Sequence, residues 1–227
     1  MNGRPLHFRL YGINNQNFIM RDEETGSWWQ QVTGQAILGP LAGAHLKPVP
    51  QDEIAFSRWR DEQSGGRVLR PDPKILAAGM YAKADWEARM QKTPVATRVS
   101  DKRLAERELI VGVVINGRSK AYPMRLLDPQ VPLMDSVGGV PIVLVVDDDR
   151  RSVRAFSRKL DDGKVIELFG RADVLLDGTS GSQWDFRGVA VRGPWAGRSL
   201  VKIEVLRDYW FDWRTYHPDT AIYSGGL

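Results

Sequence analysis

Apolar positions fill Leu109 to Ile115 almost without a break, Asn116-Gly117 ends them, and a second strand candidate, Arg118 to Tyr122, follows. This pattern predicts a tight hairpin, because both central turn residues need positive φ, which Asn and Gly tolerate best. Val140 to Val146 is a continuous apolar run and predicts a buried strand. Arg154 to Leu160 and Lys164 to Phe169 flank Asp161-Asp162-Gly163 and predict a second hairpin. Shorter strands are expected at Val174 to Leu176, Val189 to Val191, Leu200 to Val205 and Ala221 to Tyr223, between glycine-bearing turns. Asp208 to Tyr216 predicts a short helix capped by Asp208 and ended by His217-Pro218. Pro73 to Lys92 changes character. Leu76, Met80, Trp86 and Met90 recur near helical spacing among Ala, Lys and Glu, predicting one or two amphipathic helices packed on a β-layer, with breaks at Gly79 and Pro94. The expected class is α+β, a mainly antiparallel β-core with a helical connector and short helices.

A longer pattern overlies these elements. Gly26-Ser27-Trp28-Trp29 matches Gly181-Ser182-Gln183-Trp184, and the register continues through Gly34 and Gly188, Gly39-Pro40 and Gly193-Pro194, and Ala42-Gly43 and Ala196-Gly197. The second copy is one residue shorter between Trp184 and Gly188. Sixteen positions separate Gly43 from Trp59 and also Gly197 from Trp213. The expected organisation is residues 1–70 as the C-terminal half of a first copy, 71–107 as a helical connector, and 108–227 as a complete second copy.

Composition narrows the chemistry. With 42% hydrophobic and 26% charged residues over 227 positions, the chain is globular rather than disordered. No apolar run approaches the ~20 residues that span a bilayer, and Met-Asn-Gly-Arg-Pro has no apolar segment of a secretory signal. No cysteine is present, so disulfides, zinc-thiolate sites and thiol nucleophiles are excluded within the chain. The net charge is +4, but bases and acids interleave along the whole length, against nucleic-acid binding, which concentrates Arg and Lys in a stripe. No cofactor is implied.

Several segments together resemble a known family: Glu108 to Gly117, Ala121-Tyr122-Pro123, Asp135 to Gly139, the stretch from Trp29 to Pro40, Asp101 to Leu104, and His217 to Thr220. The chain is similar over nearly its whole length to the bacterial and archaeal family catalogued as domain of unknown function 3179. The resemblance implies an exported, periplasmic or extracellular protein and carries no established activity. The family's most chemical element is Cys-Pro-Leu-Cys-Gly after a buried strand, with a histidine upstream, a grouping suited to metal or thiol-redox chemistry. Here Asp147 and Arg150 stand at the two cysteine positions and Gln130 at the histidine position. The resemblance therefore implies a degenerate site in 108–227.

Asp147-Asp148-Asp149-Arg150-Arg151 is expected to be a solvated hairpin tip rather than a hard-cation site, because consecutive turn residues point apart. His7, His45 and His217 lack a ligand spacing, and no Gly-x-Ser-x-Gly nucleophile elbow is present. Trp29 and Trp184, matched between copies, are expected core anchors; a ligand-facing cluster of Asn15, Asn17, Trp29 and Gln31 is the functional alternative. An unpartnered half-copy would leave an open sheet edge in 1–70, with self-association the expected consequence. The expected function is a non-catalytic structural or binding module of an exported protein. The alternative is a fragment of a metal-binding or thiol-redox protein whose Cys-x-x-Cys site lies upstream of Met1.

Overall fold

A computed structural model describes residues 5–14, 17–47, 49, 51–95 and 100–225. Its strands and helices run, in chain order, β1 (Phe8–Asn14), β2 (Asn17–Asp22), β3 (Trp28–Gln30), β4 (Ala36–Leu38), α1 (Phe56–Glu62), α2 (Pro73–Ala77) and α3 (Trp86–Met90). Then follow β5 (Leu109–Ile115), β6 (Arg118–Pro123), β7 (Leu133–Val137), β8 (Val140–Val146), β9 (Val153–Ser157), β10 (Leu168–Arg171) and β11 (Val174–Asp177). The chain closes with β12 (Gln183–Trp184), β13 (Ala190–Arg192), β14 (Lys202–Ile203), β15 (Leu206–Tyr209), α4 (Trp210–Tyr216) and β16 (Ala221–Ile222). The fold is α+β with a mainly antiparallel β-core. Among the described residues, four four-stranded sheets have the orders β1-β2-β3-β4, β10-β11-β12-β13, β14-β9-β8-β7 and β15-β5-β6-β16.

The continuous apolar run in β8 follows from its place in the layers. Val143 and Val145 face one core with Phe156, Leu168, Leu175, Trp184 and Phe186. Ile142, Leu144 and Val146 face the opposite core with Val111, Val113 and Tyr122. A strand buried on both sides has no polar face to alternate with. Beyond β5, Ile110 and Ala121 pack against Trp210 and Trp213. Gly112 makes that approach possible: a Cβ there would lie 2.2 Å from the Trp213 ring.

The two meanders β1–β4 and β10–β13 are built from corresponding bonds. Asp22 accepts the Trp29 indole N–H at 2.7 Å and the Ser27 amide at 3.1 Å. Asp177 accepts the Trp184 indole N–H at 3.0 Å and the Ser182 amide at 3.1 Å. Ser27 Oγ accepts the Leu41 amide and Ser182 Oγ the Trp195 amide, both at 3.0 Å. Gly39 at φ 97° and Gly193 at φ 96° each bring backbone so close that a Cβ would sit 2.7 Å from the Cα of Ser27 or Ser182. Each meander is followed by a seven-residue helix, α1 or α4.

Several sequence expectations need correction. The connector forms α2 and α3, two five-residue helices without a buried residue. Leu76 and Met80 stay exposed rather than packing on a β-layer, and Glu87 of α3 lies within ion-pair range of Arg207 and Arg151. Asp208 does not cap α4. It lies in β15, opposite Ile110 of β5, and Tyr209 holds the cap position. The hairpin expected around Asp161-Asp162-Gly163 reduces to one bridge, Lys159 to Val165, because Leu168 to Arg171 turns away to pair with β11.

Candidate functional site

Strand β15 and helix α4 place two acids one turn apart. Asp208 lies in β15, which is held to β5 by pairing along its length; Asp212 falls in the first turn of α4, 5% exposed among Trp210, Phe211 and Trp213. The β1–β2 hairpin reaches across and its Asn17 amide N–H donates to Asp212 Oδ1. Asp208 Oδ1 accepts the Tyr209 amide at 2.7 Å. Its other oxygen is buried with no donor among the described residues, beside the Asp212 carboxyl. Burial first, and then the neighbouring Asp212 charge, push Asp208 up to about 8. Burial also raises Asp212, against the opposing bonds from Asp208 and Asn17. Burial thus disfavours a charge on both carboxyls, and Asp208 holds its proton the more firmly of the two.

The pair borders a cavity on each of two sides. Cavities of about 300 Å³ and about 580 Å³ both have Asn17, Arg207, Asp208 and Asp212 in their walls. The smaller adds Trp86, Met90, Tyr209 and Phe211, with Glu53 and Glu87; the larger adds Gln31, Thr33, Gly112 and His217. Arg207 is paired with Glu53 and lies 3.6 Å from Glu87. Burial lowers the His217 pKa.

A second polar centre is closed. Arg58 of α1 donates from Nε to Asp147 at 2.8 Å, with a further bond to the same carboxylate, and reaches Asp173 at 2.8 and 3.0 Å. Its guanidinium also lies 5.2 Å from the Phe186 ring centre. Asp147 bonding outweighs burial and raises the Arg58 pKa further. Nearby, Arg154 spans Asp52 and Glu62 at 2.9 and 2.7 Å, and Ser152 Oγ accepts the Ala55 amide at 2.9 Å. These contacts fasten residues 52–62 to the β8–β9 turn.

The three positions matching the family's Cys and His residues do come near one another. Gln130 Nε2 lies 3.5 Å from Asp148 Oδ1, and Arg150 sits in the β8–β9 turn at φ 56°, its amide bonded to the Asp147 carbonyl. Asp147 is 5% exposed, so the solvated tip expected for Asp147 to Arg151 applies to Asp148 and Arg150 but not to Asp147. The cause is Arg58, which buries and neutralises that carboxylate.

Of the four residues in the expected ligand cluster, Asn15 lies outside the described residues. Asn17 and Gln31 line the larger cavity. Trp29 is in the core with its N–H taken by Asp22, so its ring turns away from the cleft. Sequence reasoning missed Asp208, Asp212 and Arg58. A signal was available: Asp212 interrupts the aromatic run Tyr209-Trp210-Phe211-Asp212-Trp213, and the same register puts Arg58 before Trp59. An acid inside an aromatic run is a buried acid, and buried acids cluster at functional sites.

The architecture is thus a β-rich α+β body with an open cleft over a buried acid pair. The chain belongs to the family described as "Protein of unknown function (DUF3179)", whose profile matches residues 2–220. No curated protein and no solved structure matches it.

Proposed function

We propose that the chain is a non-catalytic binding module of an exported bacterial protein, built from one complete repeat unit and the C-terminal half of another, with the cleft over Asp208 and Asp212 as its ligand site. One observation carries the site assignment. Two acids are held side by side beneath open space, an arrangement that costs stability and is commonly maintained at functional sites. The corresponding bonds of Asp22 and Asp177 support the repeat organisation. The Asp147–Arg58 pair supports a binding rather than a chemical role at the family's Cys positions, since a neutralised, buried carboxylate has no free valence to offer. Export rests on the family resemblance alone, and fractionation of producing cells tests it: recovery with the cytoplasmic fraction would contradict it.

An NMR-monitored screen of cationic, neutral and anionic small molecules tests the binding role. Amide shifts should cluster at Asn17, Arg207, Asp208 and Asp212. If no compound perturbs these amides, or all act elsewhere, the cleft is not the ligand site.

A further inference from the structure

The closed centre at Arg58 indicates what the open one lacks. Arg58 and Asp212 are each the third residue of a seven-residue helix that follows a meander, and each precedes a tryptophan. Each receives a contact from a hairpin of the other half: Arg58 from Asp173 in the β10–β11 turn, Asp212 from Asn17 at the start of β2. At Arg58 the opposite charge is completed by Asp147 of the β8–β9 turn. At Asp212 the helix charge is reversed, the hairpin residue is a neutral amide, and no cation pairs with Asp208 or Asp212 among the described residues. The cleft beside the two acids leaves room for a positive group.

The walls specify what that group is attached to. Tyr209 and Phe211 stack with ring centres 6.2 Å apart, and Arg107 lies 5.2 and 4.8 Å from them, so the pair already carries one cation. Trp86 and Met90 extend the apolar wall beside it. A volume of about 300 Å³ accommodates a short alkyl chain ending in a compact cation. Arg207, the positive residue lining this smaller cavity, is occupied by Glu53 and Glu87, and Lys47 lines the larger one.

We infer that the cleft binds a primary alkylammonium group, its head on Asp208 and Asp212 and its methylenes along Trp86, Met90, Tyr209 and Phe211. This rests on the cleft being a ligand site, as proposed above. Head binding displaces the proton held by Asp208, so one O–H bond is exchanged for an ion pair and the proton passes to buffer. The other charged or titratable groups facing the pair are Lys47, Glu53, Glu87, Glu204, Arg207, Tyr209, Tyr216 and His217.

Isothermal titration of the full chain at pH 7.5 with 1,5-diaminopentane, 1-pentanol and pentanoate tests the inference. The diamine should bind at one site, weaken about tenfold or more in Asp208→Asn and Asp212→Asn chains that retain their circular dichroism, and outcompete the other two. Should a variant not fold, the unaltered chain still decides: binding heats must differ between phosphate and MOPS buffers in proportion to the protons released. Equal heats, or unchanged affinity in the folded variants, overturn the inference. If pentanol or pentanoate enters the cleft and the diamine does not, the ligand site stands and the cation assignment fails. If none of the three binds there, both fail. A blocked lysine amide added as a fourth probe separates sources: binding like the diamine assigns the head group to a lysine side chain, and exclusion assigns it to a free amine.

Discussion

Arg58 and Asp212 hold the same place in two similar helices and carry opposite charges. Their helices end alike, at Gln63 with φ −125° and ψ 64° and at His217 with φ −126° and ψ 67°. Each residue grips a hairpin from the other half of the molecule, so the halves clasp one another reciprocally. The β1–β2 hairpin, with strands of seven and six residues against four and four in β10–β11, supplies the extra length that brings Asn17 to Asp212.

Breaking the closed clasp should be costly. Arg58→Ala leaves Asp147 buried without its cation, and removing one partner of a buried pair typically costs about 3–5 kcal/mol. The side chain of Arg58 is 19% exposed, which places the expected loss near the lower end. Urea denaturation of Arg58→Ala and of the double change Arg58→Met with Asp147→Leu measures it, and the double variant should recover most of the loss.

The acid pair gives stability an unusual slope with pH. The folded Asp208 keeps its proton up to about 8, whereas the unfolded chain releases it near the ordinary aspartate value of 3.8. Between those limits the folded state binds more protons, so stability falls as pH rises, by up to about 1.4 kcal/mol per pH unit, and levels off above 8. Asp208→Asn should flatten that slope, melting higher than the unaltered chain at pH 8 and with little difference at pH 4.5. Thermal unfolding across this range provides the comparison.

Asp22 and Asp177 act in the opposite sense. Burial works against ionisation of each, but bonds from the indole, hydroxyl and amide groups around them outweigh it and hold both below the ordinary carboxylate range. Their contribution is present above pH 4 and is lost as pH falls through the depressed folded values. Asp177→Ala strands the Trp184 and Ser182 donors and should cost about 3 kcal/mol or more. Asp22→Ala should cost a similar amount by the same denaturant assay, because the bonds correspond.

Strand β1 is a sheet edge carrying Leu10, Tyr11 and Ile13 at 56%, 53% and 65% exposure. Such an edge favours pairing with another chain. Light scattering should find mass rising with concentration, and Tyr11→Lys with Ile13→Lys should restore a single low mass. A concentration-independent monomer would remove this expectation.

The parts of the fold legible in the sequence are those set by neighbours along the chain. Asn116 at φ 50° and Gly117 at φ 71° close the β5–β6 hairpin as their residue types require. Gly39 and Gly193 mark matching close approaches, and the apolar run of β8 reflects burial on both faces. The misread parts depend on partners distant in sequence. Asp147 is drawn inward by Arg58, 89 positions away, and Asp208 joins β15 because β5 pairs with it, not because α4 needs a cap. The expected cluster located Asn17 and Gln31 at the cleft wall, but the acids they face lie in the other half of the chain, where local patterning assigned Asp208 a different task.

The most direct test is a carboxyl-carbon NMR titration of the aspartates, with and without 1,5-diaminopentane. Asp208 should titrate near 8 in the free chain and well below that when the diamine is bound, while Asp212 responds in step. Titration of both carboxyls near 4, unchanged by the diamine, would contradict a proton-holding acid pair at the base of a cation-binding cleft.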